Sequence, residues 1–559
     1  MPYRSPVAEF GFIFEHVVPL APLAATERFA EAEPETVAGI LAEAGKMCDA
    51  VLAPLQRNGD QTPARLENGV LRSSPGYDRG YAAIAEGGWI GLTADPEHGG
   101  MGLPQLVNMA VNDMMSGACL ALQLKPLLSQ GQIEALEHHA SDEIRALYLP
   151  KLISGEWSGT MNLTEPQAGS DVGALRAKAE PRGNGTYAVT GQKIFISWGD
   201  SDLVSNVCHL VLARLPDGAA GTKGISLFMV PKYLPDAEGN PGAPNSLKVV
   251  SLEHKMGLHG SPTCVMSFEG ATGWLVGAEH KGMAAMFTMM NNARLAVGVQ
   301  GIGVAEAACQ KATEYAAERR QMGPIIAHAD VRRMLATMRA ETFAARCIAL
   351  DCAASLDLGR ASGADAAAAR GALLTPIAKS WGTEVGIAVA DMGVQVHGGM
   401  GFIEETGAAQ FFRDVRVTAI YEGTNGIQAM DLVGRKFADG GTAARALIAE
   451  IAADAGGDDA LSTAVAGAAK ALAEATEALL ARPMPERFGG ADAYLRAFAR
   501  TLGGWYHLKA ARAEGGEGPR SRLARHYVAR LLPEVPSALA AALTDPAALE
   551  AITPEDLMA

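Results

Sequence analysis

Basic charge is short in this chain: 47 Lys and Arg stand against 62 Asp and Glu, a formal net charge of −15 over 559 residues. A surface that acidic repels phosphate backbones, so nucleic acid is not an expected partner. Cysteine is sparse as well. The seven (Cys48, Cys119, Cys208, Cys264, Cys309, Cys347 and Cys352) are scattered, odd in number and without a C-x-x-C pair. They offer neither a metal site nor a disulfide framework, and they suit buried or free thiols in a reducing compartment. Apolar runs are broken by charges and Gly well short of the roughly 18 residues that a membrane span needs. Met1-Pro2-Tyr3-Arg4-Ser5 opens no signal-peptide pattern. The expectation is a cytoplasmic protein with no membrane association. Internal repeats and low-complexity tracts are also lacking.

What is present is ordinary globular material, 48% hydrophobic and 19% charged, long enough for about three or four domains. Residues 1–34 read as an arm, extended or a short helix, packing on the body. Residues 35–158 carry a mainly helical period, punctuated by a Gly-rich loop at His98-Gly99-Gly100-Met101-Gly102. Residues 159–277 alternate instead. Strands are expected over 186–197, 207–212, 225–230, 248–252 and 263–268, enough for a barrel or sandwich. The helical period returns over 278–437, with helices expected at 282–292, 295–319, 329–358, 364–392 and 426–436. A Gly-rich stretch, Phe437-Ala-Asp-Gly-Gly-Thr442, marks a boundary, and residues 442–559 form an additional helical domain. The fold class is mainly α with a central β-domain, an α–β–α order with an extra helical tail.

Two segments carry chemistry. The loop Met161-Asn-Leu-Thr-Glu-Pro-Gln-Ala-Gly-Ser-Asp171 combines hydroxyls at Thr164 and Ser170 with small residues that let backbone amides approach phosphate oxygens. It equally suits a tight connection. The second runs from Gln395-Val-His-Gly-Gly-Met-Gly-Phe402 to Ile420-Tyr-Glu-Gly-Thr-Asn-Gly-Ile-Gln428. Glu422 sits there between an aromatic residue and a glycine, where desolvation would raise its pKa toward that of a general base. The alternative is a carboxylate capping the helix that opens near Asn425. Gly298-x-x-Gly301-x-Gly303 lies inside a helical run with no preceding strand, so close helix packing is expected rather than a dinucleotide site. His254 and His259 are expected at the surface or in hydrogen bonds. Met109, Met114, Met115, Met286, Met289 and Met290, at helical spacing, read as core or as a soft pocket floor formed by 107–122 and 283–292.

Taken together and in order, Leu163-Thr-Glu-Pro-Gln-Ala-Gly-Ser-Asp171, Gly191-Gln-Lys-Ile-Phe-Ile-Ser197, Glu318-Arg-Arg-Gln-Met-Gly323, Gln395-Val-His-Gly-Gly-Met-Gly-Phe402 and Tyr421-Glu-Gly-Thr424 resemble the acyl-CoA dehydrogenase family over roughly residues 35–437. Tyr3-Arg-Ser-Pro6, Lys255-Met-Gly-Leu-His-Gly-Ser-Pro-Thr263, Gly423-Thr-Asn-Gly-Ile-Gln428 and the long tail resemble its 3-methylmercaptopropionyl-CoA branch. That branch oxidises the thioester of a dimethylsulfoniopropionate breakdown product and also contains enzymes for straight-chain substrates. The resemblance implies FAD as cofactor, an acyl-CoA as substrate and an electron-transferring flavoprotein as acceptor. It makes Glu422 the base that takes the α-proton, the thioester carbonyl being held by the backbone N–H of that residue and a flavin ribityl hydroxyl.

The same resemblance places Met161, Leu163, Thr164, Ser170, Phe195, Ser197 and Thr424 against the flavin. Arg319, Gln395 and Gly399 match contacts to its adenosine end made across a subunit interface, and Asn291 and Arg294 match substrate contacts. Gly426 departs from the Gln common at its position, so one interaction with the cofactor is either absent here or taken over by Gln428. Met322 and Asn291 depart from the residues many relatives carry at theirs. The tail occupies surface that tetrameric relatives bury between dimers, so a homodimer is expected. Two alternatives remain at this stage: an oxidase using O₂ as acceptor, and a non-catalytic DNA-associated relative, which the intact Glu422 and the net charge disfavour.

Overall fold

The computed structural model describes residues 3–559. Seven helices come first: α1 (Val7–His16), α2 (Ala21–Ala24), α3 (Pro34–Met47), α4 (Leu55–Gln61), α5 (Tyr77–Glu86), α6 (Gln105–His139) and α7 (Asp142–Ile153). A hairpin of β1 (Arg65–Glu67) and β2 (Val70–Arg72) interrupts them. The N-terminal arm is helical and locked down. Phe10 and Ile13 are fully buried, and Glu9 pairs with Arg346. Helix α3 starts on Pro34, where the missing N–H breaks no intrahelical bond.

Helix α6 is buried along almost its whole length, polar side chains included. Its backbone leaves the helical region at Cys119 (φ −159°, ψ 85°), which divides it into two arms. Beside the break the Trp198 indole N–H donates to the Ala121 carbonyl (3.3 Å), a side-chain intrusion of the kind that kinks long helices.

The middle of the chain supplies β3 (Trp157–Asn162), β4 (Lys178–Pro181), β5 (Tyr187–Ser197), β6 (Asn206–Arg214), β7 (Ile225–Pro231), β8 (Tyr233–Pro235), β9 (Pro241–Pro244), β10 (Leu247–Leu252) and β11 (Thr263–Val276). Strand β11 pairs with β5 and β7, β7 with β6, and β6 through β4 back to β5, so the ring closes into a small barrel. Strands β10 and β3 extend it, β3 parallel to β6. All five expected strands are present. Strand β3 escapes a sequence reading because it is buried on both faces and shows no alternation. Along β6 the period of two is explicit: Cys208, Leu210 and Leu212 join the helical core, while Val211 and Ala213 fill the barrel.

Five helices follow: α8 (Gly282–Glu318), α9 (Ala329–Ser362), α10 (Asp365–His397), α11 (Ala408–Val415) and α12 (Asn425–Val433). The expected break near Ala293 is absent, and α8 runs through it. Its glycines do what the sequence suggested. A Cβ on Gly298 would lie 2.5 Å from the Ala378 carbonyl oxygen of α10, one on Gly301 2.3 Å from that of Gly382, and one on Gly303 2.4 Å from that of Asp113 in α6. Helices α6, α8 and α10 are therefore in backbone contact.

At the expected boundary, Gly440 and Gly441 adopt left-handed conformations (φ 77° and 78°) and turn the chain back onto the same body. Helices α13 (Thr442–Asp454), α14 (Ala460–Leu480), α15 (Ala491–Ala513), α16 (Pro519–Arg530), α17 (Glu534–Ala542), α18 (Pro546–Glu550) and α19 (Pro554–Met558) complete the chain, with α13, α15 and α16 packed on α9, α10 and α12. Charges are buried in that contact. Arg500 pairs with Glu341 of α9 and Glu534 of α17 and lies over the Trp381 ring of α10 at 4.7 Å. Arg370 and the Tyr506 hydroxyl both engage Asp351 at 2.6 Å. All seven cysteines are buried and free, and among the described residues no helix is long and apolar enough to cross a membrane.

Removing one partner of a buried pair strands the other, which typically costs about 3–5 kcal/mol. Arg500→Met is expected to destabilise the docked tail by that amount. The measurement is the guanidinium unfolding transition, together with faster proteolysis of the chain after Thr442.

Candidate active site

The segment between α11 and α12 folds as a short 3₁₀ turn, Arg416–Ala419, and then into an unusual corner. Glu422 has φ +56° and Gly423 φ +85°. A non-glycine residue in the left-handed region stores about 1–3 kcal/mol of strain and persists only where its surroundings hold it there. Here they do. The Gln428 amide donates to the carbonyls of Glu422 and Gly423 (both 3.3 Å), and Arg294 Nε donates to the Glu422 carbonyl (3.4 Å).

The next residues are fixed from α10. Lys379 Nζ donates to Asn425 Oδ1 (2.9 Å), and Asn425 Nδ2 donates to Thr383 Oγ1 (3.1 Å). Thr424 caps α12 through its hydroxyl, which accepts from the Ile427 N–H (3.3 Å). The cap is therefore Thr424, and Glu422 is not the helix-capping carboxylate that its position also allowed.

Burial pushes the Glu422 carboxyl up to about 7, against the opposing pull of Arg294 and Lys379. The same burial lowers Lys379 to about 7. A carboxylate half-protonated near neutrality and still partly accessible has the properties of a general base. Among the described residues no group accepts a hydrogen bond from the Glu422 backbone N–H. Arg294 also lines a cleft of about 330 Å³, with Asn291, Met109, Thr288, Asp431 and Lys436 among its walls; Glu422 itself is not one of its lining residues. Both expected substrate residues line it. Arg294 is a buried side chain and not a surface one. Of the six methionines, Met109 lines the cleft, Met114, Met115, Met286 and Met289 are core, and Met290 packs at the core edge.

The expected flavin contacts fall into two groups. Met161, Leu163 and Thr164 lie at or just past the end of β3. The loop after them is pinned to β5 by a buried ion pair: Lys193 Nζ reaches Glu165 Oε1 at 2.8 Å and the Leu163 carbonyl at 3.0 Å. Opposite, β5 carries a bulge that turns Phe195 outward with φ +60° and leaves it 60% exposed. Ser197 is half-buried and Ser170 exposed. A Cβ at Gly169 would meet nothing within 4 Å. Exposed aromatic surface, a hydroxyl-bearing loop and open space around glycine suit a flat ring system with a phosphate tail. The residues present fit FAD.

The second group, Arg319, Gln395 and Gly399, sits at the far ends of α8 and α10, where Tyr315 stacks on His397 at 4.4 Å. From Thr383 to Gln395 the helix rises about 18 Å, so one chain does not bring this group to Glu422. Gln428, the candidate to take over a cofactor interaction from position 426, is fully buried and turned onto the Glu422 corner instead. His259 is engaged by Asp60 (3.0 Å) and by the Lys255 carbonyl. Glu165, Lys193, Asn425 and Gln428 lie in the motif segments and Lys379 lies outside them in α10, yet spacing alone gave no sign of their partners. Gln300 has no sequence signal either, since it bonds the Tyr421 hydroxyl from 121 residues away.

Comparison with known proteins identifies the family. The domain descriptions "Acyl-CoA dehydrogenase, N-terminal domain", "middle domain" and "C-terminal domain" match residues 25–156, 160–271 and 280–437. A 3-methylmercaptopropionyl-CoA dehydrogenase of Ruegeria pomeroyi is 46% identical over 495 residues, covering 86% of this chain and 84% of the relative. A broad-specificity linear acyl-CoA dehydrogenase of Mycobacterium tuberculosis is 35% identical over 464 residues, 78% and 75% of the two chains. A solved acyl-CoA dehydrogenase of Bacillus anthracis, complexed with FAD, shares the fold with a TM-score of 0.75 at 21% identity, over 92% and 89% of the chains. Identity of 46% sustained over most of both chains, with all three domains matched in order, leaves one conclusion: this chain belongs to the acyl-CoA dehydrogenase family.

Proposed function

We propose that this enzyme, an FAD-dependent acyl-CoA dehydrogenase, oxidises 3-methylmercaptopropionyl-CoA or a short- to medium-chain acyl-CoA to the trans-2-enoyl thioester. The observation that carries the reading is Glu422, a carboxyl held in a strained corner with its pKa raised to about 7. FAD, when bound, supplies the acceptor for the β-hydride. The chain's own part is to place a base and to stabilise the charge that proton removal creates. Glu422 takes the α-proton. Its free backbone N–H is available to the thioester carbonyl, where negative charge develops and where an oriented donor is most effective. Arg294 has two roles, holding the Glu422 carbonyl and lining the cleft.

The 46% identity to the Ruegeria pomeroyi enzyme supports the methylmercapto thioester as substrate, and Met109 gives the cleft a polarisable side chain suited to a thioether. The acceptor in this reading is an electron-transferring flavoprotein. The Ruegeria pomeroyi and Mycobacterium tuberculosis relatives are named as dehydrogenases, which favours this over an O₂-using oxidase or a DNA-associated protein. The working unit is a homodimer. Met322 (98% exposed), Phe402 (87%), Met400 and Ile403 form exposed apolar surface in the segments that carry Arg319 and Gly399, as an interface bringing that group to a second subunit's flavin would require. Seven free thiols suit the cytoplasm.

Anaerobic titration of the yellow enzyme with 3-methylmercaptopropionyl-CoA, butyryl-CoA and octanoyl-CoA is expected to bleach the flavin fastest with the first. Glu422→Gln should slow bleaching by about 10²–10⁴-fold, the usual worth of a positioned base, with flavin content unchanged. Equal rates in both proteins would remove Glu422 from the reaction. In a stopped-flow pH series the rate constant at low thioester concentration should rise with pH through a midpoint near 7, because the protonated carboxyl below that pH cannot accept the α-proton.

A further inference from the structure

The pair of Lys193 and Glu165 does more than pin one loop to one strand. Both side chains are buried, and the Glu165 carboxylate is saturated. Its Oε1 accepts from Lys193 Nζ (2.8 Å) and from the Ala177 N–H (3.0 Å), and its Oε2 accepts from the Arg176 N–H and from Gln167 Nε2 (both 2.7 Å). The loop after β3 is thus tied at once to the approach to β4 and to β5. Lys193 Nζ donates as well to the Leu163 carbonyl (3.0 Å). The next residue of β5 adds a second stitch, the Ile194 N–H donating to the Thr164 carbonyl (2.9 Å). The bulge makes this donor available, since it sets Ile194 and Phe195 of β5 against the single residue Val265 of β11.

These bonds decide which way a peptide group faces. In a trans peptide the C=O and the N–H point in opposite directions. The Leu163 carbonyl is drawn inward by a buried amine, so the N–H at the other end of that peptide, on Thr164, points outward. Among the described residues no group accepts a hydrogen bond from it. On the strand side the same stitched unit presents Phe195, turned out by its positive φ. The two halves of the expected flavin site, Leu163–Thr164 and Phe195–Ser197, are therefore held at one spacing by Lys193, Glu165 and the Ile194 N–H.

We propose that Lys193 and Glu165 are positioning residues for the flavin: by holding the Leu163 carbonyl they aim the Thr164 N–H at the cofactor, and they set the spacing between the loop and β5. The inference rests on the reading of this site as the flavin site. Stability alone does not call for the pair, because replacing both members of a buried ion pair is often neutral. Geometry does call for it. A carboxylate has room for about four donors, and here all four are supplied by three separate segments. Without Lys193 the Leu163 carbonyl is free to turn toward water, and the peptide turns with it, taking the Thr164 N–H out of line.

The test reads FAD affinity and the flavin spectrum of the holoenzyme beside the unfolding midpoint of the flavin-free protein. Lys193→Met removes the donor to Leu163 but strands the Glu165 charge. It is therefore compared with Lys193→Met combined with Glu165→Gln, which keeps an oxygen for the Arg176 and Ala177 N–H groups and strands no charge. In this double variant the flavin-free midpoint is expected to match the parent. The Kd for FAD, read from the fluorescence of flavin released on dilution, should rise about tenfold, the worth of one hydrogen bond to the ligand. The near-ultraviolet flavin band, which moves with hydrogen bonding at the ring's polar edge, should shift as well. Parental affinity and an unshifted band in the double variant would overturn the proposal. So would an affinity loss confined to Lys193→Met that follows its unfolding midpoint, the mark of a structural role. If the double variant fails to fold, the band of Lys193→Met in excess FAD decides by the same criterion. A parent enzyme that holds no FAD would instead remove the cofactor reading of the site.

Discussion

The backbone contact of α8 with α10 is the constraint on which the active corner depends. Gly298 and Gly301 on one helix and Gly382 on the other carry no Cβ at their crossing, and any side chain there would press into a carbonyl at 2.3–2.5 Å. Only at that separation can both helices reach the same five-residue turn. Helix α8 brings Arg294 and Gln300, and α10 brings Lys379 and Thr383. Widened by the thickness of one methyl group per side, the helices would still pack as an apolar core. The left-handed residue at 422 would then lose the partners that hold it, and relaxation of its backbone would swing the carboxyl away.

The tail belongs to the same argument. Helices α9 and α10 are long and expose charged positions that a shorter chain would leave to water or to another subunit. Here Asp351 and Glu341 are covered by α15 and neutralised by Arg370, Tyr506 and Arg500. Burying such groups gains little by itself, because desolvation offsets most of the attraction. It does dictate register: Arg500 meets Glu341, Glu534 and the Trp381 ring together, and no shift by one residue would preserve all three. The tail thus covers the far side of α10, whose near side holds the Glu422 corner.

The sequence made the architecture legible where periodicity changes. The move from a 3.6-residue period to alternation and back located the barrel and the long helices, and the Gly-x-x-Gly-x-Gly segment of α8 was recognisable as packing. It failed where burial erases period, as in β3, and where a helix continues through residues that weaken it, as α8 does near Ala293. Glu422 was legible because an aromatic and a glycine flank it, and its family resemblance supplied the role. What holds it was not. Gln300 and Tyr421 are separated by 121 residues and meet only through the fold. Gln428 looked like a substitute cofactor ligand until the structure turned its amide onto the corner. The adenosine-side residues stood out in the sequence as a group apart, but nothing local told how far apart one chain leaves them.

The electrostatics of the corner come from two opposing effects, of which burial is the larger. Arg294 and Lys379 both favour the Glu422 carboxylate, and alone they would hold it well below the usual carboxylate range. Burial opposes them and prevails, bringing Glu422 up to about 7, while the same burial brings Lys379 down to about 7. Burial thus moves the carboxyl and the amine toward neutrality from opposite sides. A substrate that displaces water from the corner penalises both charged forms. A substrate whose carbonyl develops negative charge beside the Glu422 amide favours the cations instead. The corner needs no strongly basic group, only a carboxyl raised by burial, with its backbone already bent into the conformation that presents it.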